Sequence, residues 1–137
     1  MVQASEKSAA NESPRAPQVL IVEDNKVNQI TLRKMLLRCG VEVSTADDGL
    51  LGIRICQSNK FDLILMDLSM PNLDGYDTTR EIIANCPLNK KTPIVAVSAN
   101  TGKEAETRCL KVGMSGFAPK PLRMERVQGL VEQYLSS

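Results

Sequence analysis

Apolar residues in this chain fall into two patterns that alternate along its length. Val19-Leu20-Ile21-Val22, Leu63-Ile64-Leu65-Met66 and Ile94-Val95-Ala96-Val97 are short unbroken apolar runs, each followed at once by polar residues. Runs of this length read as strands covered on both faces, as in a parallel sheet. Val41 and Val43 alternate with polar neighbours, which suits an edge strand, and Phe117-Ala118 after Gly116 predicts a short fifth strand. Helical spacing lies between the runs. Val27, Ile30 and Met35 lead the first helix, Leu51 and Ile55 mark the second, and Tyr76, Thr79 and Ile83 mark the third. Ala105, Cys109 and Val112 mark the fourth, and Val127, Leu130, Val131 and Tyr134 form the cleanest stripe, on the fifth. Thr101 with Glu104 predicts a capping box where the fourth helix begins. Strands alternating with helices in this way imply an α/β fold, a doubly wound five-stranded parallel sheet between helical layers.

Length is consistent with one such domain. A chain of 137 residues can bury roughly 68% of its unfolded surface, enough for one ordinary core. Residues 1–17 are rich in Ala, Ser, Glu, Lys and Pro, with only Val2 bulky and apolar. Such a segment cannot offset its ordering entropy by burial, so a disordered tail is expected there and the folded domain over 18–137.

Charge and composition mainly exclude functions. A net charge of +1 supplies no general field for nucleic acid or an anionic membrane, so neither is expected as a partner. No apolar run approaches the ~18 residues of a membrane span. Asn11-Glu12-Ser13 matches a glycosylation sequon, but nothing else points to secretion, and a cytoplasmic location is expected. The 4 cysteines form no C-x-x-C pair and there is no histidine to complete a zinc set. Cysteines at such positions read as small buried hydrophobes in a reducing compartment. The absence of histidine also excludes Ser-His-Asp and Cys-His catalysis within the chain.

Polar residues at the strand ends are more informative. In an open parallel sheet, ligands bind outside the carboxyl ends of the strands. Here the first strand ends in Glu23-Asp24-Asn25, the third in Asp67 and the fourth in Ser98, and the fifth leads to Lys120. Any one of these alone would be an ordinary loop residue. Together they converge on one edge of one sheet. Two carboxylates ~4 Å apart repel by about 4 kcal/mol at an effective dielectric of 20, so a cluster of three calls for a cation. Oxygen ligands of this kind suit Mg²⁺, and Lys120 can add a fixed positive charge. Such a site stabilises the charge on a transferring phosphoryl group.

At this point the sequence resembles the response-regulator receiver family of two-component and phosphorelay signalling. The matching residues are Glu23-Asp24, Asp67 followed by Met70-Pro71-x-x-Asp74-Gly75, Ser98-Ala99, and Lys120-Pro121. Val22-Glu23-Asp24-Asn25-x-x-Asn28 resembles in particular the receivers of hybrid histidine kinases. The resemblance covers about residues 18 to 135 and implies the strand order 2-1-3-4-5 of a flavodoxin-like sheet. It implies that Asp67 accepts a phosphoryl group from a partner phosphohistidine. Asp24, Asp67, the backbone carbonyl of Ser69 and, directly or through water, Glu23 would hold Mg²⁺. Lys120 would pair with the phosphoryl oxygens after a cis Lys120-Pro121 bond. Ser98 would be the switch hydroxyl, against the plainer reading of a serine bonding its own backbone. Phe117 would be the switch aromatic, against that of a core phenylalanine.

The implied activity is signalling: the protein would catalyse only its own phosphorylation and dephosphorylation, with Ser69 and Asn100 flanking the entry of water. The implied partner is a histidine kinase or a histidine phosphotransfer protein, with the chain a monomer or weak dimer. The location could equally be the cytoplasmic part of a membrane-bound hybrid kinase. Asp74-Gly75 reads first as a turn in which glycine tolerates positive φ. The competing reading is a pseudo-receiver that only binds proteins. A flavoprotein would need a Ser/Thr/Gly-rich phosphate loop where Glu23-Asp24-Asn25 stands. An aspartyl phosphatase of the haloacid dehalogenase type would need a second aspartate where Ser69 stands, and no P-loop or G-x-G-x-x-G is present.

Overall fold

The structure, a computed structural model, describes residues 15–70, 73–100 and 102–135. Most of the expected tail, the sequon, Pro71 and Thr101 lie outside the described residues. Five parallel strands form one sheet in the order β2-β1-β3-β4-β5. They are β1 (Gln18–Val22), β2 (Glu42–Ala46), β3 (Leu63–Asp67), β4 (Ile94–Ser98) and β5 (Gly116–Pro119). The helices that alternate with them are α1 (Lys26–Arg38), α2 (Gly49–Ser58), α3 (Gly75–Asn85), α4 (Lys103–Val112) and α5 (Met124–Leu135). The expected fold class, strand order and edge position of β2 are all observed.

Side-chain alternation explains the layers. Residues of opposite parity on a strand face opposite sides, so an unbroken apolar run serves two cores at once. Leu20, Val22, Ile64, Met66, Ile94 and Ala96 face one core, which Cys56, Ile82 and Cys109 of the helical layer α2–α4 complete. Val19, Ile21, Leu63, Leu65, Val95 and Val97 face the other, with Leu32 and Leu36 of α1 and Val127 and Leu130 of α5. Each fully buried side chain of this size contributes roughly 1.5–3 kcal/mol.

Two sequence expectations need correction. The first helix does not bury Val27 and Ile30, which are 72% and 50% exposed. Its inward stripe is Gln29, Leu32 and Leu36, with Met35 only half-buried. The apolar residues of α1 lie on both of its sides, so spacing alone admitted two stripes. The fourth helix begins at Lys103 with Gly102 as its N-cap and no side-chain cap bond. That start is one residue later than a Thr101–Glu104 capping box requires.

Loop chemistry sets the other helix starts. Asn25, Asp48 and Asp74 cap α1, α2 and α3 by accepting the backbone N–H of Asn28, Leu51 and Asp77 at 3.0, 2.8 and 2.9 Å. Each cap follows a strand's carboxyl end, so the capped turns frame the edge where the polar residues collect.

Candidate functional site

Glu23 and Asp24 follow β1 directly and Asp67 is the last residue of β3, so the pairing of these adjacent strands delivers all three to one place. One carboxylate oxygen from each lies within 4.8 Å of the others. Glu23 and Asp67 are 5% and 3% exposed, whereas Asp24 is open to solvent. Lys120, one residue beyond β5, reaches across β4. Its Nζ lies 3.0 Å from Glu23 Oε1 and 3.2 Å from Asp67 Oδ1. The Lys120-Pro121 bond is cis, as expected, and the Lys120 N–H is held by the Ser98 carbonyl at 2.8 Å.

Backbone donors share in holding the carboxylates. The Asn25 N–H donates to Glu23 Oε2 and the Ser69 N–H to Asp67 Oδ1, each at 3.1 Å. Three carboxylates against one ammonium leave an excess of negative charge. Burial, and then the neighbouring Asp67, push the Glu23 carboxyl up to about 7, against the lowering pull of the Asn25 amide and Lys120. Burial works against the Lys120 ammonium, but its pairs with Glu23 and Asp67 prevail and raise it above the ordinary lysine value. The hollow therefore favours added positive charge. Hard oxygen donors at these spacings fit a small divalent cation such as Mg²⁺.

Ser98 ends β4, next to β3 in the sheet, and is 2% exposed. Its Oγ accepts the Asn100 N–H at 3.0 Å, the local bond that the plainer reading of this serine anticipates. A cleft of about 260 Å³ opens beside it, lined by Ser69, Tyr76, Asn100 and Arg108 among others. The Arg108 guanidinium stacks over the Tyr76 ring at 4.0 Å on its α4 side. Phe117 is half-buried and packs against the α2–α4 core.

Gly75 has a different reason from the one expected. Its φ is not positive; instead, an added Cβ would collide with the carbonyl oxygen of Asp67 and lie 2.9 Å from Leu68 Cα. Glycine is needed here because α3 starts against the backbone of β3. Asp74 is the helix cap, so both residues position the loop after Asp67.

Sequence reasoning missed Gln29. It is 5% exposed, and its Nε2 donates to the Glu23 carbonyl and to Asp47 Oδ1, each at 3.0 Å. Its helical spacing with Leu32 and Leu36 was the available signal.

The model of the response regulator receiver domain matches residues 19–132, most of the chain. The chain belongs to that family. This receiver domain is 30% identical, over 94% of its own length and 16% of the relative's, to Probable histidine kinase 1 of Oryza sativa subsp. indica. It is 35% identical to Hybrid signal transduction histidine kinase B of Dictyostelium discoideum, over 85% of the chain and 6% of that protein. The chain thus spans a small part of these relatives, whose matching segments are receiver domains of histidine kinases. Among solved structures, chemotaxis protein CheY4 of Vibrio cholerae superposes with a TM-score of 0.84 at 27% identity, covering 88% of this chain and 100% of that one. The receiver domain of sensor histidine kinase PA1611 from Pseudomonas aeruginosa, with magnesium coordinated in its active-site cleft, gives 0.81 at 34% identity, covering 90% and 100%. This receiver domain presents its own acidic cluster of Glu23, Asp24 and Asp67 in the same fold. No helix among the described residues is long and apolar enough to cross a membrane.

Proposed function

We propose that this receiver domain takes a phosphoryl group from a phosphohistidine of a partner kinase or phosphotransfer protein onto Asp67, in a Mg²⁺-dependent reaction. The observation that supports this most directly is the buried Asp67 carboxylate, set between Lys120 Nζ at 3.2 Å and two further carboxylates. An Asp67 oxygen attacks phosphorus, the phosphorus–nitrogen bond breaks, and the imidazole of the donor keeps the electron pair. The product is an acyl phosphate, which water returns to carboxylate and inorganic phosphate. Asp24, Asp67, Glu23 and the Ser69 carbonyl would hold the metal, which when bound neutralises charge on the phosphoryl oxygens. Lys120 offers those oxygens an ammonium in place of its present carboxylate pairs.

Switching follows from the hydrogen bonds the phosphoryl group offers. Moving an equilibrium from 1:99 to 99:1 needs about 5.5 kcal/mol. Hydrogen bonds to charged groups supply roughly 1.5–3 kcal/mol each, so new bonds to Ser98 and Lys120 are of the right size. Ser98 gives up the Asn100 amide and turns to the phosphoryl group, Phe117 follows inward, and the α4–β5–α5 face shifts. Ser69 and Asn100, on the open side, flank the path of the hydrolytic water. In this reading residues 18–137 form the receiver domain.

Phosphate-affinity electrophoresis with acetyl phosphate tests the proposal. Wild type should show a retarded band with Mg²⁺ and none with chelator, and Asp67→Asn should show none in either case. A retarded band for Asp67→Asn, or none for wild type with Mg²⁺, would overturn the reading and leave the pseudo-receiver alternative.

A further inference from the structure

α1 carries a buried amide at a position where its other inward residues, Leu32 and Leu36, are aliphatic. Gln29 Nε2 donates to the Glu23 carbonyl and to Asp47 Oδ1, both at 3.0 Å. Both partners are acceptors, so the nitrogen of the amide must face them and both its protons are used. The carbonyl it grips belongs to the peptide that joins Glu23 to Asp24, two of the three carboxylates of the cluster. The preceding peptide is tied as well: the Glu23 N–H donates to the Ala46 carbonyl at 3.0 Å. The segment that carries both carboxylates is therefore strapped twice to the carboxyl end of β2, once by backbone to Ala46 and once through Gln29 to Asp47, the next residue. Asp47, the outer anchor, is itself held by Lys26 at 3.0 Å. Its bond from Gln29, and then its pair with Lys26, hold its carboxyl below the usual aspartate value.

We propose that Gln29 is a positioning residue for divalent-cation capture: it fixes the Glu23–Asp24 peptide so that the exposed Asp24 stays in register with the buried Asp67. The inference rests on the metal-dependent reading above. Asp24 has no burial to restrain it, so its place in the cluster depends on the backbone beneath it. Groups that orient metal ligands from behind typically carry 10–100-fold of the metal affinity. Gln29→Met keeps the length and apolar stem of the side chain and removes only the strap.

The experiment is calorimetric titration of the metal-free chain with MgCl₂, beside acetyl phosphate labelling over a range of Mg²⁺ concentrations. Gln29→Met should weaken Mg²⁺ binding about 10–100-fold and raise the half-saturating Mg²⁺ for labelling by the same factor. At saturating Mg²⁺ its labelling rate should return to within about threefold of wild type, as a captured ion no longer needs the strap. A loss that persists at saturation, or binding within about twofold of wild type, overturns the proposal. Asp47→Ala, on the surface, carries the same test if Gln29→Met does not fold. It should weaken Mg²⁺ several-fold by unmooring Gln29, and an unchanged affinity overturns the strap. A wild type without Mg²⁺ affinity sinks this inference together with the metal-dependent reading, whereas a variant that matches wild type sinks only the strap.

Discussion

The two ends of the sheet each bury a polar cluster, and the two differ in whether they are satisfied. At the amino-terminal end Asn89, fully buried, accepts the Phe61 N–H at 2.8 Å and the Thr92 hydroxyl at 3.0 Å through Oδ1. Its Nδ2 donates to the carbonyls of Cys56 at 2.8 Å and Asn59 at 2.7 Å. Two bonds accepted and two donated are the full capacity of an amide, and every member is neutral. At the carboxyl-terminal end, three carboxylates gather beside one ammonium, and burial, then the neighbouring Asp67, push Glu23 up to about 7. One cluster is complete as it stands. The other is complete only with a further cation or a rearrangement, which is what a site for charge transfer requires.

The largest expected effect breaks the complete cluster. Asn89→Ala leaves a buried N–H and two carbonyls without partners, at about 1–3 kcal/mol per orphaned group. A loss of about 3–5 kcal/mol, or roughly 10–20 °C in Tm, is expected by thermal denaturation. Mg²⁺ affinity should be unchanged in the folded variant. Parallel loss of metal binding would erase the distinction between the two ends.

Next in size is the pH response of the incomplete cluster. The folded Glu23 value of about 7 lies above its ordinary 4.5, so the native state keeps a proton that the unfolded chain has already released. Its contribution to stability is present below pH 4.5 and is lost as pH rises through about 7. The loss is on the order of 3 kcal/mol without metal, at about 1.36 kcal/mol per pH unit. Glu23→Gln should flatten the fall in Tm between pH 5 and 7.5 by roughly 6–15 °C when both are scanned in chelator. Identical slopes would show that Glu23 is not the group holding the proton.

The smallest effect belongs at the rim of the complete cluster. Lys60 Nζ makes only long bonds, 3.3 Å to the Phe61 carbonyl and 3.5 Å to Thr92 Oγ1. Lys60→Met should change stability by less than about 0.5 kcal/mol, within about 2 °C in Tm. A large loss would mean that the amino-terminal cluster also depends on charge.

Period and punctuation in the sequence were sufficient for the strands, the fold class and the strand ends at which Glu23, Asp24, Asp67, Ser98 and Lys120 stand. An unbroken apolar run admits few placements other than a strand buried on both faces, and strand ends in such a sheet have one functional edge. Burial direction was not legible in α1, because Val27 and Ile30 compete with Leu32 and Leu36 for the inward face. Only packing against β1 and α5 decides between them. Gly75 could be marked as special from sequence, but its reason, contact with the backbone of Asp67, is a distance between segments. Spacing with Leu32 and Leu36 could mark Gln29 as inward-facing at most, and nothing marked Asn89, because a buried amide differs from an exposed one only in its partners. Those partners arrive from other loops: Glu23 and Asp47 for one, Cys56, Asn59, Phe61 and Thr92 for the other. The sequence by itself determined which groups reach the active edge, since local pattern dictates strand ends. Tertiary structure alone decided how they are held and how their charges balance, since hydrogen bonds and desolvation depend on neighbours distant in the chain.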